Sequence, residues 1–100
     1  MSVAYLDLVL QEARLVILRL LAESPEFTSN SSVLDMALDS FGLSLSRDQV
    51  DAQLAWLAEQ SLVTIERIST ITRAQITRRG EDVARGQATV PGVKRPGPKT

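Results

Sequence analysis

Residues 46–77 read SRDQVDAQLAWLAEQSLVTIERISTITRAQIT, and this stretch decides the fold. Ser46 with Gln49 makes S-x-x-Q, a pairing that satisfies free N–H groups at a helix start. Val50, Leu54 and Leu57 then recur at helical spacing and form an inward face. Asp48, Asp51, Ala52, Ala55 and Glu59 lie opposite. Directly afterwards the period changes to two. With Ser69-Thr70 as the turn, Val63 falls opposite Ile76 and Ile65 opposite Ala74 on one face. Thr64 then faces Gln75, and Glu66 faces Arg73, on the other. One register thus gives an apolar face and a matched charge pair. Ser-Thr lacks the Gly or Asn that two-residue hairpin loops favour, so a wider tip is also compatible.

Upstream, residues 3–23 form a first helix, free of Gly and Pro. Leu6, Val9, Leu10, Ala13, Val16, Ile17, Leu20 and Leu21 share its broad core face. Leu8, Leu15 and Ala22 lie seven apart on another strip, with Leu18 beside it. Two polar strips, Asp7/Gln11/Arg14 and Glu12/Arg19/Glu23, separate the two faces. A helix with two apolar faces has two neighbours. A second copy of the chain is the expected partner on the Leu8/Leu15/Leu18 strip, unless the wing or last helix covers it within one chain. Residues 24–31 read as a loop in which Phe27 plugs the core. Ser32 starts a second helix with Asp35 in a capping-box-like position. Its buried face is Leu34, Ala37, Leu38 and Phe41, and Gly42 ends it.

Downstream, Thr77-Arg78-Arg79-Gly80 opens a short fourth helix, packed by Val83 and Ala84 and stopped by Gly86. Residues 87–100, QATVPGVKRPGPKT, hold three prolines, two glycines and the bases Lys94, Arg95 and Lys99. That composition predicts a disordered basic tail. The expected architecture is therefore α+β: a winged helix-turn-helix domain over 1–86, with three helices, a β-hairpin wing and a short C-terminal helix.

The chain is 100 residues long, enough for one domain, and 44% hydrophobic. It has no cysteine and no histidine, which removes disulfides, thiolate and imidazole metal ligands, and Cys/His or Ser/His catalysis. No phosphate loop or partnered carboxylate pair replaces them. An enzyme, a cofactor and a metal site are not expected. The polar residues inside the first helix argue against a leader or membrane span and for a cytoplasmic protein. The net charge of −1 hides an asymmetry. Residues 1–60 hold nine acids and three bases, residues 61–100 three acids and eight bases. A polyanion-binding surface would lie in the second half.

QLAWLAEQSLVTIERI followed by ITRRGEDVARG resembles the ending of ArsR-, MarR- and PadR-like winged-helix regulators, through Leu54, Leu57, Leu62, Val63, Ile76, Thr77 and Gly80. From YLDLVLQEARLVILRLLAE through the wing, the chain also resembles a group of small proteins of Mu-like bacteriophages and prophages. The resemblance implies a bacterial cytosolic, dimeric, regulator-like protein; that implication is carried by the fold.

Two functions follow as expectations. In a DNA-binding regulator of phage or bacterial origin, the third helix enters the major groove and the wing touches the backbone. Arg47 would serve the groove; Arg67, Arg73, Arg78, Arg79, Lys94 and Arg95 would serve phosphates. The alternative is a protein-interaction module without significant DNA affinity, because the third helix is acidic where a reader of base edges carries Arg, Lys, Asn or Gln. Trp56, at the edge of the Val50 face, joins Leu8, Leu15 and Leu18 as an interface candidate.

Overall fold

A computed structural model describes residues 3–97. The order is α1 (Val3–Glu23), a 3₁₀ turn (Pro25–Phe27), β1 (Thr28–Asn30), α2 (Ser31–Ser40), α3 (Arg47–Glu59), β2 (Val63–Ile68), β3 (Ile71–Ile76) and α4 (Arg78–Ala84). The strands form one antiparallel sheet in the order β1-β3-β2. The core lies between this sheet and the helices, with Ile17, Leu34, Leu38, Val50, Leu54 and Leu57 sealed from solvent.

The opening stretch folds as read. Ser46 Oγ accepts from Gln49 N (3.1 Å), and Gln49 Oε1 accepts from Ser46 N (2.9 Å). Val63 pairs with Ile76, Ile65 with Ala74 and Glu66 with Arg73. The turn is the two residues Ser69-Thr70 and no wider, because Ser69 takes the left-handed conformation at φ 57°. Helix ends close in one recurring way. Leu43 N bonds back to Leu38 O and Gly42 N to Asp39 O, with Gly42 at φ 78°. Leu62 N to Leu57 O and Ser61 N to Ala58 O repeat this after α3, with Ser61 at φ 63°. At α4, Thr77 Oγ1 accepts from Gly80 N and donates to Ser61 O. A Cβ on Gly80 would overlap the Leu62 carbonyl, so only glycine lets α4 pack this close.

Several expectations are corrected. Residues 28–30 are not loop: Thr28, Ser29 and Asn30 pair with Gln75, Ala74 and Arg73. Asn30, not Ser32, caps α2, its side chain accepting from Val33 N at 3.0 Å. Ser31 is fully buried, and its hydroxyl accepts from Thr72 N, prolonging the ladder one step past the end of β1. Phe27 is exposed, because Glu26 and Phe27 both turn through the left-handed region as the chain enters β1. Phe41 is exposed as well; it is the C-cap, beyond the last buried turn of α2.

The largest correction is the tail. Residues 87–97 pack onto the domain: Val90 and Val93 are 4% and 6% exposed and belong to the core. Lys94 N bonds to Gln11 O at 3.2 Å, and Arg14 Nη1 donates to Gly92 O at 2.8 Å. The composition concealed two valines whose burial repays the ordering of a Pro/Gly-rich segment. α4 packs along α1, and Leu15 and Leu18, at 1% and 0% exposure, join the same core. Those two residues are covered within one chain, while Leu8 of the same strip stays exposed. Lys99 lies outside the described residues.

Candidate interaction surface

The outward side of α3 and the β2–β3 hairpin form the candidate surface. Arg47, Asp48, Ala52, Ala55 and Glu59 are exposed along α3. The capping box fixes the start of this helix, and the buried Val50, Leu54 and Leu57 fix its rotation. The hairpin register fixes which wing residues flank it.

Four of the seven candidate cations already have carboxylate partners. Arg47 Nε lies 3.6 Å from Asp35 on α2, and Arg73 Nη1 lies 3.9 Å from Glu66 across the hairpin. Arg67 Nη1 bonds to Asp51 Oδ2 at 3.2 Å and to Thr72 Oγ1 at 2.9 Å, tying β2 to α3. Asp51 Oδ1 is buried without a partner among the described residues. Lys94 Nζ lies 2.7 Å from Glu12, far from the wing in sequence and held on α1. Arg79 Nε donates to the Gln60 carbonyl at 3.2 Å. Among the described residues, Arg78 and Arg95 are exposed and make no ion pair.

The seven candidate bases come from four parts of the fold. Three lie on α3 and the β2–β3 hairpin, two open α4, and two belong to the segment after it. Apolar side chains are exposed as well: Ile65 and Ile68 on the hairpin, Val33 and Met36 on α2.

The interface candidates separate. Leu8 is exposed at 63%, whereas Leu15 and Leu18 are inside. Trp56 is half-buried and occupied from within the chain. The Arg14 guanidinium lies 4.0 Å from its ring centroid, and Gly92 packs on its edge. Arg14 Nε also donates to Gln53 Oε1 at 2.8 Å. Burial lowers the Arg14 pKa and Asp7 acts against that; the guanidinium remains charged at neutral pH. Sequence reading missed this cluster, for which the polar strip Asp7/Gln11/Arg14 on an otherwise apolar helix was the one available sign.

Among the described residues, no group of three or more His, Cys, Asp or Glu is placed to hold a metal, and no helix is long and apolar enough to cross a membrane.

No family model and no solved structure matches the chain. Two curated proteins do. One, described as an uncharacterized protein of Haemophilus influenzae, is 43% identical over 65 residues, covering 65% of this chain and 63% of its own length. The other, the uncharacterized protein gp26 of Escherichia phage Mu, is 46% identical over 93 residues, which is 93% of this chain and 96% of that protein. At that identity over nearly both full lengths, the chain belongs to the family of the Mu phage gp26 protein.

Proposed function

We propose that this chain is a winged-helix module of Mu-like phages that works by contacting protein and not by reading duplex DNA. The winged-helix part rests on element order. A helix, a short strand, two helices, a hairpin and a further helix, with the first strand joining the hairpin on its β3 side, supports that reading.

The functional part rests on one observation: four of the seven candidate cations lie within 4 Å of a carboxylate. Exposed ion pairs are weak, typically ~0–1 kcal/mol, so a phosphate could compete for each arginine. The carboxylate would nevertheless stay in the footprint and repel the phosphate. Counterion release needs net positive charge along the backbone, and here each pair contributes about zero. The exposed isoleucines of the wing favour an apolar partner surface instead.

The test is an anisotropy titration of random-sequence duplex at low salt. No saturable binding is expected. Binding whose logarithm falls against log salt with a slope of about 5 or more, as ~6 phosphate contacts give, would return the protein to the DNA-binding regulators.

A further inference from the structure

Residues 4–8 of α1 are all exposed, an overhang whose Tyr5 and Leu6 line an open groove with residues 42–45 and Gln49 of the same chain. The apolar side chains Leu6 and Leu8 project from this overhang. Further along the same helix, a groove is lined by Glu12, Val16, Arg19, Leu20, Glu23 and the exposed Phe41. At 100° per residue, Val9, Glu12, Val16, Leu20 and Glu23 share one side of α1, so overhang and groove lie on one continuous stripe.

We infer that this stripe is the interface with a second copy of the chain, the two α1 helices packing antiparallel about a two-fold axis near the level of Arg14. Overhang and groove are about ten residues apart, or ~15 Å along the axis. A two-fold axis midway between them seats each overhang in the partner's groove, twice over, as an isologous interface requires. Leu8 and Val9 then meet Leu20 and Phe41 of the other copy.

Charge supports this occupant. Arg19 is exposed and makes no ion pair among the described residues, although Glu23 is one turn away on its own helix. In the antiparallel arrangement Arg19 comes within one turn of the partner's Glu12, and the reverse contact forms by symmetry. Glu12 keeps Lys94 on its other side. The interface uses Leu8 but neither Leu15 nor Leu18, which are buried, and it does not depend on whether the hairpin side binds DNA or protein.

One helix pair is modest beside the ~800 Å² per partner of stable complexes, so association is read by light scattering and sedimentation over a concentration series. A two-fold mass is expected at the upper end. Leu8→Asp and Phe41→Asp, both at exposed positions, should each raise the dissociation constant about tenfold or more while leaving the circular-dichroism melt in place. Arg19→Glu should do the same, and the double reversal Glu12→Arg/Arg19→Glu should recover part of the loss. Such recovery has no explanation within one chain, where the two side chains are seven residues apart. A chain that stays monomeric throughout the series overturns the inference. So does a dimer indifferent to Leu8→Asp and Phe41→Asp, which would place the contact elsewhere.

Discussion

Gly92 lies at φ 101° beneath the Trp56 ring. A Cβ there would sit 2.7 and 2.8 Å from two ring carbons, and 3.3 Å from Arg14 Nη1. Neither the indole nor the arginine is free to move, since Arg14 is held by Gln53, the ring and the Gly92 carbonyl together. Gly92→Ala is therefore expected to cost about 2 kcal/mol through overlap and left-handed strain combined. It should also red-shift the emission of Trp56, the sole tryptophan, as the tail lifts away. Gly42→Ala is the control. Its φ is 78°, but no atom lies within 4 Å of the added Cβ, so only the conformational cost of about 1 kcal/mol remains and Trp56 emission stays put. Denaturant melts followed by fluorescence read both effects.

At the scale of elements, the start of α2 shows how neighbouring polar residues divide their work. Asn30, Ser31 and Ser32 are all plausible caps by composition, and Ser32 with Asp35 makes the better motif on paper. Pairing decides otherwise. Once β1 runs to Asn30 beside Arg73, the helix must begin at once, and Asn30 becomes its cap. Ser31 then falls inside, where its hydroxyl meets the Thr72 N–H that β1 is too short to reach. Three alanine substitutions separate these roles in thermal or urea melts. Ser32→Ala should change stability by less than ~0.5 kcal/mol. Asn30→Ala should cost about 1 kcal/mol as a lost cap. Ser31→Ala, which strands a buried N–H, should cost ~1–3 kcal/mol. Equal losses at Ser31 and Ser32 would refute the assignment. The contrast with the hairpin explains what was legible. Residues 63–76 alternate in apolarity and carry a complementary charge pair, so their register is written locally. Residues 28–30 have no alternation, and their strand exists only because β3 has a free edge some 45 residues later. The carboxylate partners of the cationic candidates are hidden from a local reading for the same reason. Arg47, Arg67 and Lys94 are paired with carboxylates 12, 16 and 82 residues away, which no local pattern reveals.

For the whole molecule, the decisive element is the segment after α4. Residues 87–97 read as tail because Pro91, Gly92, Pro96 and Gly97 dominate a short window. Yet Val90 and Val93 complete the core, and Gly92 and Lys94 close over α1 and α3. The segment bridges two helices that otherwise meet through few residues, and it places Arg14 against Trp56. Removing it should be felt across the domain. Ending the chain at residue 86 exposes the sites of two valines, each worth ~1.5 kcal/mol or more when buried, and leaves Arg14 without its carbonyl and ring enclosure. The ordering entropy regained offsets part of this. A net loss of about 2–4 kcal/mol is expected, with red-shifted Trp56 emission and a lower urea m-value if Trp56 stays solvated before unfolding. The α1 stripe meets the tail only at its edge, at Glu12 and beside Arg19, so a truncated chain that still folds should retain the second-copy association. If the truncation melts like the full chain, residues 87–97 are a passive covering, and the domain ends with α4.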